Sequence, residues 1–114
     1  GLAERIRGIF EDDPRIREKK MFGGLAFLLD GNMSVGIIRD ELMVRVGPEA
    51  YEEALSRPHA RAMDFTGRPM RVFVQVGPAG FEEDAEFSAW VELAVAYAEK
   101  QPGKRPGTRR ERRR

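Results

Sequence analysis

The 114-residue sequence contains no cysteine and only one histidine, His59. Without cysteine, a disulfide framework and a thiolate metal site are excluded, and the composition fits a reducing cytoplasm. A single histidine makes a catalytic triad or a zinc site an unfavourable interpretation. His59 follows a proline in a predicted exposed loop. An enzyme that depends on these groups is therefore the least favoured class.

The sequence also lacks long apolar runs and recognisable cofactor motifs. Its apolar stretches fall well below the roughly 20 residues that span a bilayer, and no signal-peptide pattern is present. Gly23-Gly24 has no neighbouring nucleotide-binding motif. The acidic clusters 11–13 and 82–84 lack the spacing of a calcium loop, and we interpret them as solvated surface. We expect a cytoplasmic protein with no cofactor, no metal and no membrane contact.

Charge is distributed unevenly along the chain. Residues 101–114 carry seven basic residues and one acidic residue, or +6, whereas the remainder carries 13 basic and 18 acidic residues, or −5. This segment contains prolines, glycines and no large apolar residue, so it is predicted to be disordered when free. Its basic residues are candidate nucleic-acid contacts: Lys104, Arg105, Arg109, Arg110, Arg112, Arg113 and Arg114. The predicted domain is 1–100, followed by a basic tail, 101–114.

Hydrophobic periodicity predicts helices and strands in the domain. Leu2, Ile6 and Phe10 recur at helical spacing, and 15–20 is interpreted as a charged connector. Alternating apolar residues predict strands near 25–29, 33–38, 42–46, 62–65 and 70–76, and Asp30-Gly31 predicts a hairpin turn. A short helix is expected after Pro48, and a final helix from about residue 82.

These elements give the order α-β-β-β-α-β-β-α. A mostly antiparallel sheet with helices on one face buries such a pattern, so the predicted fold class is α+β with two layers. The other face of the sheet remains apolar, with Leu28, Ile38, Met43 and Phe73. A monomer rarely exposes such a face, so we expect further helix cover or a second copy of the chain.

Adjacent glycines in Lys19-Lys20-Met21-Phe22-Gly23-Gly24 precede the first predicted strand, and the simplest interpretation of the glycines is a bulged strand start. This segment, with Gly31-Asn32-Met33 and the run 42–46, resembles the N-terminal domain of the TfoX/Sxy family of competence regulators. Support comes from 63–70, which contains Gly67, and from Trp90 in the final helix. The resemblance covers roughly residues 2 to 100.

The resemblance implies the same two-layer fold and a regulatory role exerted together with another transcription regulator. It implies neither enzymatic activity nor a cofactor. Family members carry a further helical C-terminal domain, and we expect this chain to be a stand-alone N-terminal domain. Met21, Phe22 and Phe27 are predicted to fill the core between helix and sheet. The candidate contacts for an anionic or protein partner are Lys19, Lys20, Arg45 and Arg68.

Three functions follow from these patterns. The favoured one is a non-enzymatic bacterial regulatory or protein-interaction module that forms a homodimer through its sheet. The alternative is a nucleic-acid-associated protein tethered by its basic tail, because clustered arginines attract phosphate backbones without base specificity. The third, a small-molecule enzyme, would need a pocket with convergent titratable groups.

Overall fold

The computed structural model describes residues 1–21, 23–64 and 69–103, with the backbone alone for residues 64, 69 and 70. Within these ranges the chain forms helices and strands, with a short 3₁₀ turn before the last helix. In chain order they are α1 (Leu2–Phe10), β1 (Ile16–Met21), β2 (Gly24–Leu29), β3 (Asn32–Ile38), β4 (Glu41–Arg45), α2 (Tyr51–Leu55), β5 (Ala60–Asp64), β6 (Pro69–Val76), the 3₁₀ turn (Pro78–Gly80) and α3 (Asp84–Glu99).

The predicted α+β class and the order of the predicted elements are confirmed, with one strand added. The segment interpreted as a charged connector is strand β1, at the edge of the sheet. Its four central residues are exposed. One side of its backbone pairs with β2, although charged residues favour strands poorly. Charges on an edge strand also discourage pairing with other chains. Periodicity did not find β1 because it has no buried face.

All neighbouring strands of the sheet are antiparallel, in the order β1-β2-β3-β4-β6-β5. The predicted hairpin turn is confirmed: Asp30 and Gly31 join β2 to β3 with φ of 51° and 85°. Positive φ at both central residues is what a type I′ turn requires.

The main core lies between the helices and one face of the sheet. Ile6 and Phe10 of α1 are buried there, as their spacing predicts. From α3, side chains at helical spacing are buried against the same face. The sheet contributes apolar residues such as Phe27, Val44 and Val74. The helices therefore form one layer and the sheet the other, as expected.

A second apolar cluster lies on the opposite face of the sheet, for which we expected further helix cover or a second copy of the chain. It consists of Ala26, Met33, Ile38, Met43, Met63 and Phe73. Each of these is at most 8% exposed in the single chain, although Leu28 is only partly buried. Among the described residues, no helix contributes to the cluster.

Two long methionine side chains contribute to the burial of this face. A Cβ atom added at Gly36 would lie 2.5 Å from Cε of Met43 and 3.0 Å from Cε of Met33. The two side chains thus lie over the glycine, and flexible thioethers fill irregular space of this kind. The face is a second core rather than an open apolar surface.

The start of the predicted tail belongs to the folded part of the chain. The side-chain amide of Asn32 donates a hydrogen bond to the carbonyl oxygen of Pro102, at 2.8 Å. Residues 104–114 lie outside the described ranges, as do Phe65 and the predicted turn at 66–68. In the described part of the chain, no helix has the length and apolar character needed to cross a bilayer.

Candidate interaction surface

The paired glycines form a tight hairpin connection rather than the expected bulge. Met21 pairs with Gly24 at the end of the β1–β2 ladder, and Gly23 in the connection has a φ of 74°. A Cβ atom at Gly24 would overlap the backbone carbonyl of Ile37 in β3. Gly23 therefore provides a conformation that side chains disfavour, and Gly24 permits close strand approach. The irregularity in β2 lies further on, between residues 27 and 28.

Most of the other residues of the family motif are buried or occupy a turn, so their roles are structural. Trp90 is buried and donates its indole N–H to the carbonyl oxygen of Gly80, at 3.2 Å. Met33 is buried in the second cluster, and Gly31 occupies the β2–β3 turn. Phe22 and Gly67 lie outside the described residues.

Met21 does not fill the core between helix and sheet as predicted. It packs against the second cluster on the opposite face, whereas Phe27 does occupy the main core. Strand alternation explains the difference: Met21 lies two residues after Lys19, which pairs with Ala26 of the second cluster. Side chains two residues apart on a strand share one face.

The candidate partner contacts do not form one group. Lys19 and Lys20 are exposed on opposite faces of the edge strand β1, because they are adjacent in a strand. Arg45 ends β4, three strands further into the sheet, or roughly 14 Å at 4.8 Å per strand. Arg68 lies outside the described residues.

Arg45 is held by α3 rather than presented to solvent. Its Cζ lies 5.2 Å from the centroid of the Tyr97 ring, which is a cation–π distance. Its buried Nε has no hydrogen-bond partner among the described residues. A structural contact thus occupies part of the side chain that was predicted to bind a partner.

Arg15 joins three parts of the helical side of the molecule. Its guanidinium bonds both carboxylate oxygens of Asp13, at 2.8 Å from Nη2 to Oδ2, and reaches Glu99 of α3 at 2.9 Å. The hydrogen bonds from the Arg15 side chain and backbone lower the pKa of Asp13 to about 2. Asp13 is therefore an ion-paired anchor, which corrects its interpretation as solvated surface. Its neighbours Glu11 and Asp12 are exposed as predicted.

Two further ion pairs neutralise charges on the sheet. Arg7 of α1 holds Glu18 of β1 at 2.7 Å and lowers the pKa of that carboxyl by hydrogen bonding. Arg61 and Gln75 both bond Glu41, and the Arg61 hydrogen bond is the main cause of the lowered pKa of Glu41. These carboxylates stay ionised and are satisfied within the chain.

The exposed charged residues without an ion pair differ in sign between the helical layer and the sheet. Within the described ranges, exposed carboxylates of this kind lie in the helices or in the segments that flank them: Glu11, Asp12, Glu49, Glu52, Glu82, Glu83, Glu86 and Glu92. The corresponding cations lie in strands or hairpin turns: Arg17, Lys19, Lys20, Arg39 and Arg71. Asp40 in a hairpin turn and Lys100 at the end of α3 are the exceptions. The helical layer is thus acidic and the sheet basic.

His59 is exposed, as predicted, and lines an open groove of about 270 Å³ with Arg57, Glu86 and Trp90. The Arg57 guanidinium is already engaged, since it bonds Glu53 and stacks over the Trp90 ring at 5.0 Å. The described residues contain no group of three acidic or histidine side chains placed to hold a metal ion.

Arg17 is the main charged residue that sequence reasoning missed. It is exposed and lies two residues before Lys19, on the same face of β1. Basic residues stand at alternate positions of this segment, and such residues share one face only when the segment is a strand. Because we interpreted the segment as a connector, the sequence analysis did not place these residues on a common face.

Comparison with known families identifies the family of this chain. The family model of the TfoX N-terminal domain matches residues 9–98, which is most of the chain. The chain therefore belongs to the TfoX N-terminal domain family. No curated protein matches it, and neither does any solved structure.

Proposed function

We propose that this chain is a non-enzymatic regulatory or protein-interaction module of a bacterial cytoplasm, acting with another transcription regulator. The observation that carries the proposal is family membership over residues 9–98. The motif supports it further, because Gly23, Gly24 and Trp90 have backbone and packing roles rather than chemical ones.

Gene deletion in the native host, followed by transcript profiling, tests the regulatory role. We expect a defined set of transcripts to change and to recover when the gene is restored. A matched complementation with Trp90→Ala, which removes a buried anchor of α3, should not restore them. An unchanged transcript profile after deletion would contradict the proposal.

Homodimerisation is a separate part of the proposal and now needs a different surface. The apolar residues that suggested it, such as Met43 and Phe73, are buried within one chain. An edge strand is the remaining route through the sheet, and β5 carries fewer charges than β1. A light-scattering mass equal to one chain at tens of micromolar protein would refute the dimer.

A second candidate function is attachment to nucleic acid through the basic tail. The specific observation in its favour is the charge of residues 101–114, which carry seven basic residues and one acidic residue. If all seven basic residues of the tail contact phosphates, the log–log salt slope of duplex binding should approach about −6. Full-length chain with the five tail arginines 109, 110, 112, 113 and 114 changed to glutamine should lose most of that slope.

A further inference from the structure

Strand β1 is an edge of the sheet, and only one side of its backbone bonds β2. The backbone N–H of Asp30 donates to the carbonyl oxygen of Arg15, at 2.9 Å, and this pair continues the register of the β1–β2 ladder. Bonded and non-bonded positions alternate along an antiparallel strand. Counting from Arg15, the backbone groups of Arg17 and Lys19 therefore bond β2.

The backbone groups of Glu18 and Lys20 point away from the sheet, because these residues occupy the alternate positions of the ladder. Both residues are exposed, and within the described ranges no other backbone group bonds them. Their N–H and C=O groups form a free edge of the kind to which an extended peptide adds as a further strand.

The side chains along this edge leave only positive charge unpaired. Its one carboxylate, Glu18, is held through both oxygens by Arg7 of α1, at 2.7 and 2.8 Å. Arg17, Lys19 and Lys20 are exposed and make no ion pair within the described part of the chain. Arg17 and Lys19 share one face of the strand, and Lys20 lies on the other. A strand added here meets unpaired cations on both faces.

A second copy of β1 fits this edge poorly. When a two-fold axis joins two copies into one antiparallel sheet, side chains keep their face, so opposed residues have numbers with an even sum. Every such register places one residue opposite itself. At the four exposed central positions that residue is charged, and like charges directly opposite each other destabilise pairing. Charge complementarity instead favours a strand from another protein that carries carboxylates.

We propose that the free edge of β1 binds an extended acidic segment of a partner protein, which adds to the sheet as a further strand. The inference rests on the proposed function as a protein-interaction module and names the surface and the chemistry of the partner. Main-chain hydrogen bonds to Glu18 and Lys20 supply the attachment. Carboxylates opposite Arg17, Lys19 and Lys20 supply the selectivity. The position opposite Glu18 should be neutral, because Arg7 already holds that carboxylate.

The probe is a capped peptide, Val-Glu-Glu-Thr-Glu-Val, designed to pair antiparallel with β1 from residue 21 to residue 16. Its glutamates lie opposite Lys20, Lys19 and Arg17. Its threonine lies opposite Glu18. One control peptide has every glutamate changed to glutamine. A second carries N-methyl groups on the first glutamate and the threonine, whose N–H groups would face β1.

Water-exchange NMR of the full-length chain detects the added hydrogen bonds at the amides of Glu18 and Lys20. At about ten times its Kd, the acidic peptide should slow exchange at both amides by about 11-fold. The N-methylated peptide should give no such protection, and the glutamine peptide should bind more weakly. Amide protection distinguishes an added strand from a peptide held by side chains alone.

The double variant Arg17→Gln/Lys19→Gln removes both cations of one face. Two cross-strand charge pairs are lost, so the acidic peptide should bind about 2- to 30-fold more weakly. The control Arg39→Gln/Arg71→Gln removes the same charge from exposed cations outside β1 and should bind the peptide as wild type does. Circular dichroism and urea midpoints establish that each variant is folded.

Three results would overturn the inference: no amide protection at about 10 mM peptide, equal binding of the glutamine peptide, or equal loss of binding in both double variants. If duplex DNA instead binds in a manner that depends on Arg17 and Lys19, these cations serve nucleic acid and the assignment to an acidic segment is refuted. Unprotected amides, with transcripts that change on gene deletion, would refute this inference and leave the proposed function standing. Protected amides with an unchanged transcript profile would refute the regulatory role alone.

Discussion

Met43 gives the most direct test of the second core, because burial and exposure predict different costs of its truncation. Its side chain is fully buried in the single chain, between Gly36 and the other cluster residues. Truncation of a buried methionine to alanine costs about 2–5 kcal/mol, through lost transfer energy and the cavity left behind. An exposed methionine would cost less than about 0.5 kcal/mol. We therefore expect Met43→Ala to lower the free energy of unfolding by at least about 2 kcal/mol.

Urea denaturation followed by Trp90 fluorescence measures this cost. Trp90 is the chain's single tryptophan and is buried in the main core, so it reports loss of the whole domain. With an m-value of about 1.5 kcal/mol/M, the midpoint should fall by about 1–3 M. Ile9→Ala is the matched control, because Ile9 is the exposed large apolar residue on α1. Met43→Leu conserves volume and should cost less than about 1.5 kcal/mol, so it remains measurable if the alanine variant is unfolded.

The dependence on protein concentration separates one chain from two. Burial within the single chain predicts the same wild-type midpoint at 1 and 100 times a given protein concentration. A midpoint that rises with concentration, together with a cost of Met43→Ala below about 0.5 kcal/mol in dilute protein, would show that a second copy covers this face. That result would refute the description of the face as a second core.

Three further predictions concern the hairpin, the ion pairs and the buried tryptophan. Gly24→Ala should destabilise the fold by about 1–3 kcal/mol, because its Cβ meets a backbone carbonyl, whereas Gly8→Ala on α1 has open space and should stabilise it by about 0.5–1 kcal/mol. Equal urea midpoints for the two would contradict this. Asp13→Asn should be less stable than wild type at neutral pH, and the difference should disappear as pH falls from about 4 towards 2. The reason is that the folded-state pKa of Asp13 is lowered to about 2, so its contribution is present above the unfolded pKa and lost through the folded one. A difference that does not depend on pH would refute that role. Trp90→Phe should cost about 1–3 kcal/mol by thermal or urea unfolding, since it leaves the buried Gly80 carbonyl without its indole donor, and a neutral effect would contradict it.

Strand β1 shows where prediction from the sequence ended. Helices and strands with a buried face were found from their periodicity, because burial forces apolar residues to recur at 3.6 or 2 residues. Ile16–Met21 has four exposed central residues, so it carries no such signal. The segment is a strand because its backbone pairs with β2, and this pairing is a feature of the tertiary structure. The exposed cation Arg17 was missed for the same reason.

Local patterns along the chain predict the α+β class, the helices and the apolar strands, the hairpin turn at Asp30-Gly31 and the family. These features depend on local conformation and on which residues avoid water. Contacts between distant parts of the chain show that Gly24 is needed for close strand approach and that the second face of the sheet is buried. They also place Gly103 beside Asp30 in the β2–β3 turn. Each of these depends on contacts between residues distant in sequence, and side-chain periodicity contains no record of such contacts.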